Sequence, residues 1–260
     1  MKELWMMSLA ICLSFSSLIS AQANELILAA DEWCPYNCEP GSERQGYMVD
    51  LAVDILGEAG HTVKYRALNW SRSIEWAREG KFHGIIGASK QEAPDFIYPE
   101  EPQGIAENHF WVLKGDPWRF NGINSLEGRW LGIIQDYDYG KALSDFIKTH
   151  GGTLKAQERA GDDALDVLIK KLIHGRINVL NEDKNVFLYK INSMNKKELF
   201  ADAGYDMTPL QTNYIYIAFS PHHKEAITYA KLLNDGIKRY RKNGKLNRIL
   251  SRYGLTDWKK

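Results

Sequence analysis

The chain has 260 residues, enough for one large domain or two smaller ones with a sizeable core. Hydrophobic residues make up 44% and charged residues 25%, as in an ordinary soluble globular protein. Lys plus Arg and Asp plus Glu are 33 each, a neutral balance that argues against a broad nucleic-acid footprint and gives no reason to expect an anionic membrane surface as partner.

Residues 1–23 read as a secretory signal peptide. Lys2 precedes a mostly apolar stretch over 4–19, and Ala21-Gln22-Ala23 forms a small-x-small cleavage site. The stretch is too short and too rich in serine for a spanning helix. Cys12 follows the bulky Ile11 where a lipoprotein signal has a small residue, so no lipid anchor is expected. Export to the periplasm leaves two cysteines, Cys34 and Cys38, in an oxidising compartment. A disulfide is the expected state, with free thiols as the alternative and a metal site disfavoured for want of further ligands.

Short apolar runs then alternate with helical patterns. A buried strand is expected over 25–30. Met48, Leu51, Ala52, Ile55 and Leu56 recur at three and four along a helix that Gly60 stops. A strand over 62–68 follows, then a short helix capped by Ser71 and a strand over 82–88. This βαβα order predicts a largely parallel α/β sheet. A second α/β unit is expected after Lys114-Gly115-Asp116-Pro117. It has strands over 130–134, 153–157 and 177–180, and helices over 139–149, from Asp162, and from Asp183 through Tyr189. A strand over 214–219, a helix through Arg241 and a last helix to Tyr253 end the chain. No Gly-x-Ser-x-Gly, phosphate loop or dinucleotide fingerprint is present, and the adjacent His222-His223 lack a Glu at metal-ligand spacing.

Several segments in order resemble one family. They are Trp33-x-Pro35-Tyr36 with Gly46-Tyr47-Met48-Val49-Asp50-Leu51, then Trp70-Ser71-Arg72, Gly80-Lys81-Phe82-His83-Gly84, and Asp95-Phe96-Ile97-Tyr98-Pro99. Ser125-Leu126-Glu127-Gly128-Arg129-Trp130 and Gly175-Arg176-Ile177-Asn178-Val179 through Asp183 follow, with a tail from Leu233 to Leu255. Together they resemble the type II periplasmic solute-binding proteins, in particular the polar amino-acid-binding group that serves ABC transporters. The resemblance implies an α/β protein of two lobes, 24–113 with 213–260 and 114–212, closing by a hinge on a ligand in the cleft between them. It implies a monomer without cofactor or metal that serves an inner-membrane ABC permease or a separate membrane sensor. Enzymes of the dehydratase type share the fold, but no catalytic signature supports that reading here.

The same resemblance nominates site residues. Trp33 and Tyr36 would form an aromatic wall braced by Cys34–Cys38, against an ordinary role in packing under the loop. Trp70 and Arg72 follow the next strand, where Arg72 is either a ligand clamp or a solvated charge. The family pattern then has Ser or Thr with Arg three residues on, holding a ligand carboxylate. Here Ser89 is followed by Glu92, and the segment is two residues short. Lys90 is the only nearby substitute, and it lacks the planar fork of Arg. On the second lobe Tyr137 and Tyr139 are expected to reach the cleft, while Asp138 caps a helix. Glu182 and Asp183 are candidates for a ligand amino group, with helix capping as the plain role of Asp183. With Glu92 and Asp136, these acidic residues favour a ligand with a cationic or strongly donating group.

Overall fold

The computed structural model describes residues 23–206 and 213–259. The expected leader, apart from Ala23, and Cys12 lie outside the described residues.

Two five-stranded sheets carry the fold. In the first, β1 (Glu25–Ala30), β2 (Thr62–Ala67) and β3 (Gly84–Ala88) are parallel. β10 (Tyr214–Phe219) runs antiparallel to β3 and to the two-residue β4 (Gly104–Ile105), giving the order β2-β1-β3-β10-β4. In the second, β6 (Leu131–Ile134), β7 (Ala156–Arg159) and β8 (Val179–Asp183) are parallel. β5 (Asn108–Leu113) is antiparallel to β8 and pairs with β9 (Phe200–Tyr205), giving the order β7-β6-β8-β5-β9. Both sheets are thus mixed rather than largely parallel. Each receives its antiparallel strand where the chain crosses from one lobe to the other.

Helices α1 (Tyr47–Glu58), α2 (Trp70–Arg78), α6 (Ala226–Lys242) and α7 (Lys245–Ser251) belong with the first sheet. α3 (Gly140–His150), α4 (Ala164–Ile173) and α5 (Lys184–Ser193) belong with the second. The predicted stripe of α1 is buried, with Met48, Leu51, Ala52 and Leu56 fully so. This is one apolar face at helical spacing driven out of water. Gly46 precedes α1 at φ 104°, and a Cβ there would lie 2.3 Å from Tyr36 O. Only glycine lets the Trp33–Cys38 loop sit directly on the helix entrance.

Three local expectations are corrected. The α2 cap is Asn69, whose side chain accepts the Arg72 N–H at 3.0 Å, because its position precedes the first helical turn. Ser71 lies inside the helix. The third predicted strand of the second unit begins at Val179 rather than 177 and runs to Asp183. The segment 108–113, expected to close the first lobe, is β5 of the second sheet, so the first crossover falls at Ala106 and Glu107. There Ala106 N donates to Asn213 O at 2.8 Å, and the two crossover segments run side by side.

Candidate functional site

The carboxyl ends of β1 and β3, the start of α2, the loop after β6 and the crossover segments meet at one chamber between the lobes, about 80 Å³ in volume. Parallel strands open their loops on the same side of a sheet, which gathers residues distant in sequence. Trp33, Trp70, Tyr137 and Tyr214 supply rings, and Asp31, Glu92 and Asp138 supply carboxylates. Among the described residues, none of the lining side chains is basic.

Glu92 is not a substitute clamp for a carboxylate. Its own carboxylate accepts from Trp70 Nε1 at 2.9 Å and from Ser89 N at 2.8 Å. Burial pushes it up to about 7, against the opposing pull of the hydrogen bonds from Ser89 and Trp70. Lys90 does not compensate, since its Nζ lies over the rings of Tyr216 and Tyr98, at 5.0 and 5.7 Å. Asp31 accepts from the Tyr137 hydroxyl and is pushed up to about 6 by burial, which outweighs that bond.

Behind this chamber lies a second layer of carboxylates. Trp33 Nε1 donates to Glu182 Oε1 at 3.1 Å, and that oxygen also accepts the Asp183 N–H at 2.8 Å. Glu182 is 1% exposed and pushed up to about 8, chiefly by burial. Asp183 caps α5 by accepting Asn185 N and Val186 N at 2.9 and 3.0 Å. It also accepts Glu107 N at 2.8 Å. The Tyr36 hydroxyl lies 3.3 Å from Asp183 Oδ2 and accepts from Asn185 Nδ2 at 3.0 Å. Burial pushes Asp183 up to about 6, outweighing these bonds.

The structure therefore brings Trp33, Trp70, Ser89 and Tyr137 to the chamber wall and sets Tyr36, Glu182 and Asp183 behind it. Trp33 and Tyr36 stack at 4.3 Å, and Cys34 and Cys38 are bonded. Arg72 stands outside the lining, exposed on α2 with its guanidinium 5.7 Å over Trp76, because it faces away from the cleft in the first turn. Tyr139 turns back to its own loop, its hydroxyl against Ile134 N and O at 2.8 and 3.0 Å. It lines a second, adjoining chamber of about 280 Å³. Asp138 accepts Gly140 N at 2.9 Å at the start of α3, and also the Ser89 hydroxyl at 3.1 Å across the cleft. Asp31, Asn108, Asn213 and Tyr214 were not singled out from the sequence. Asp31 alone carried a usable signal, an acid directly after the first strand and two residues before Trp33.

The profile of the bacterial extracellular solute-binding proteins, family 3, matches residues 26–256. The chain belongs to this family. No curated protein matches it. Its fold is that of the two-lobed binding proteins. The arginine-, lysine-, histidine-binding protein ArtJ of Geobacillus stearothermophilus superposes at a TM-score of 0.72 with 15% identity, over 90% of this chain and 97% of that one. A structure from work on glutathione import by GshT and the cystine ABC importer TcyBC of Streptococcus mutans gives 0.73 and 20%, over 91% and 98%. A histidine kinase sensor domain with similarity to periplasmic binding proteins gives 0.71 and 18%, over 90% and 98%. The family is one of extracellular solute-binding proteins.

Proposed function

We propose that the chain is exported to the periplasm, captures a small solute bearing a cationic or strongly donating group between its lobes, and delivers it to an inner-membrane ABC permease without altering it chemically. The chamber carries this reading, with Asp31, Glu92 and Asp138 set among four aromatic rings and no basic side chain in the described lining. Carboxylates and ring faces both favour a cation. An α-amino acid held by its carboxylate is disfavoured, because Glu92 stands where the clamp is expected and takes the Ser89 N–H and the Trp70 indole for itself. The Cys34–Cys38 bond suits an oxidising compartment.

The test is a thermal-shift screen of residues 24–260 against amines, polyamines, amino acids, sugars and organic acids, with each hit recovered and checked for chemical change. Ligand at a hundred times its Kd adds about 2.7 kcal/mol. A shift with amines returned intact supports the reading. A shift confined to anions, or a transformed ligand, overturns it. The sensor-domain neighbour motivates one alternative, delivery to a separate receptor. A deletion strain that loses the response but keeps uptake would favour it.

A further inference from the structure

Three of the four rings at the solute chamber already direct their polar hydrogens to carboxylates. Trp33 Nε1 donates to Glu182 Oε1 at 3.1 Å, Trp70 Nε1 to Glu92 Oε1 at 2.9 Å, and the Tyr137 hydroxyl to Asp31 Oδ2. Each bond fixes one edge of its ring and leaves the carbon surface to meet a solute. Tyr36 stacks on Trp33 at 4.3 Å and Tyr137 meets it edge-on at 6.4 Å. Gly87, also in the lining, would place a Cβ 3.7 Å from Trp33 Cε3, so glycine leaves that part of the indole uncovered.

The carboxylates of the lining are occupied in the same way. Glu92 takes the Trp70 indole at Oε1 and the Ser89 N–H at Oε2, 2.8 Å away. Asp138 takes Gly140 N at Oδ1 and the Ser89 hydroxyl at Oδ2, at 2.9 and 3.1 Å. Asp31 takes the Tyr137 hydroxyl. These donors are neutral, so the negative charge stays uncompensated while most of the acceptor positions are filled.

An ammonium group is strongly hydrated and must regain hydrogen bonds for each N–H that leaves water. A quaternary ammonium has no N–H. It needs only diffuse negative charge and ring surface, which this wall supplies. Resting on the reading of the cleft as a site for a cationic solute, we propose that the cationic head of the solute is a quaternary ammonium, held among Trp33, Trp70, Tyr137 and Tyr214 and neutralised by Asp31, Glu92 and Asp138.

Calorimetric titration of residues 24–260 with choline, ethanolamine and 3,3-dimethylbutan-1-ol tests the assignment. The three share a hydroxyethyl arm and differ in the head, which is trimethylammonium, ammonium or a neutral tert-butyl group of the same shape as the first. Choline is expected to bind about tenfold or more tightly than either of the others. The variant Trp70→Phe keeps a ring but frees Glu92 Oε1 to accept an N–H. It is expected to narrow the preference for choline over ethanolamine by about fivefold. The wild-type comparison stands without the variant should Trp70→Phe fail to fold. Ethanolamine binding as tightly as choline, or an undiminished preference in folded Trp70→Phe, overturns the quaternary head alone. The neutral alcohol binding as tightly as choline, or no binding by any of the three, overturns the cationic-solute reading along with it.

Discussion

Trp33 and Glu182 meet across the cleft, the indole Nε1 donating to Oε1 at 3.1 Å between positions 149 apart in the chain. One ring thus lines the solute chamber and ties the first lobe to a buried carboxylate of the second. The other side-chain ties between the lobes follow the same chemistry. Tyr137 bonds Asp31, Ser71 bonds Asp136, Ser89 bonds Asp138, and Tyr36 meets Asp183 and Asn185. Among the described residues no ion pair crosses the cleft. Its carboxylates therefore face neutral donors rather than fixed cations.

The Trp33→Phe variant keeps a ring against Tyr36 but removes the donor to Glu182, whose Oε2 already lacks a partner among the described residues. Ligand-free stability is expected to fall by about 1–3 kcal/mol in urea unfolding. A variant as stable as the parent would show that the tie adds nothing to stability.

Glu182 also sets a pH dependence. Its folded-state value of about 8 exceeds the ordinary 4.5, so the native state keeps a proton that the unfolded chain releases. This proton's contribution is fully present below about 4.5, is lost as pH rises toward 8, and stays lost above it. The Glu182→Gln variant does not titrate there. Its stability relative to the parent is expected to grow with pH between 5 and 8, by up to about 1.4 kcal/mol per unit, and to level off above 8. Parallel stability curves for the two proteins would refute the buried-proton account.

Glu92 offers a test on binding. A cation prefers the ionised carboxylate, so affinity for a bound amine is expected to rise with pH through about 7, where Glu92 loses its proton. The Glu92→Gln variant should bind at least tenfold more weakly at pH 8 and show a smaller loss at pH 6. Calorimetric titration at both values decides it. Affinity independent of pH in the parent would mean that Glu92 does not meet the cation.

Asp183 separates structure from recognition. It caps α5, holds Glu107 N in the first crossover and lies outside the chamber lining. Asp183→Ala is expected to lower stability by about 2 kcal/mol or more, through the lost cap and the orphaned donors. Ligand affinity measured well below its melting temperature should change less than fivefold. A large affinity loss with an unchanged melting temperature would place Asp183 in the ligand's own shell.

Much of the architecture was legible in the residues themselves, because it rests on local rules. The apolar stripe of α1, the strand over 25–30 and the capping Asp183 follow from spacing and from side chains that bond their own backbone. The Cys34–Cys38 pair follows from proximity in sequence together with the expectation of export. The replacement of the expected Arg by Glu92 could also be read directly. The acidic lean was expected from Glu92, Asp136, Glu182 and Asp183, of which only Glu92 lines the chamber, where Asp31 and Asp138 join it. Sheet partnership could not be read this way. The aromatic run 108–113 fits either lobe by composition, and only pairing with β8 and β9 assigns it to the second. Nor could sequence separate Trp33 and Trp70, which reach the chamber, from Arg72, which points to solvent three residues into the same family motif. The pairings of Trp33 with Glu182, Asp31 with Tyr137 and Trp70 with Glu92 span 149, 106 and 22 positions. Such contacts depend on strand order and helix rotation, and no local pattern encodes them. The raised carboxylate values follow in turn, because desolvation exists only once the lobes have packed.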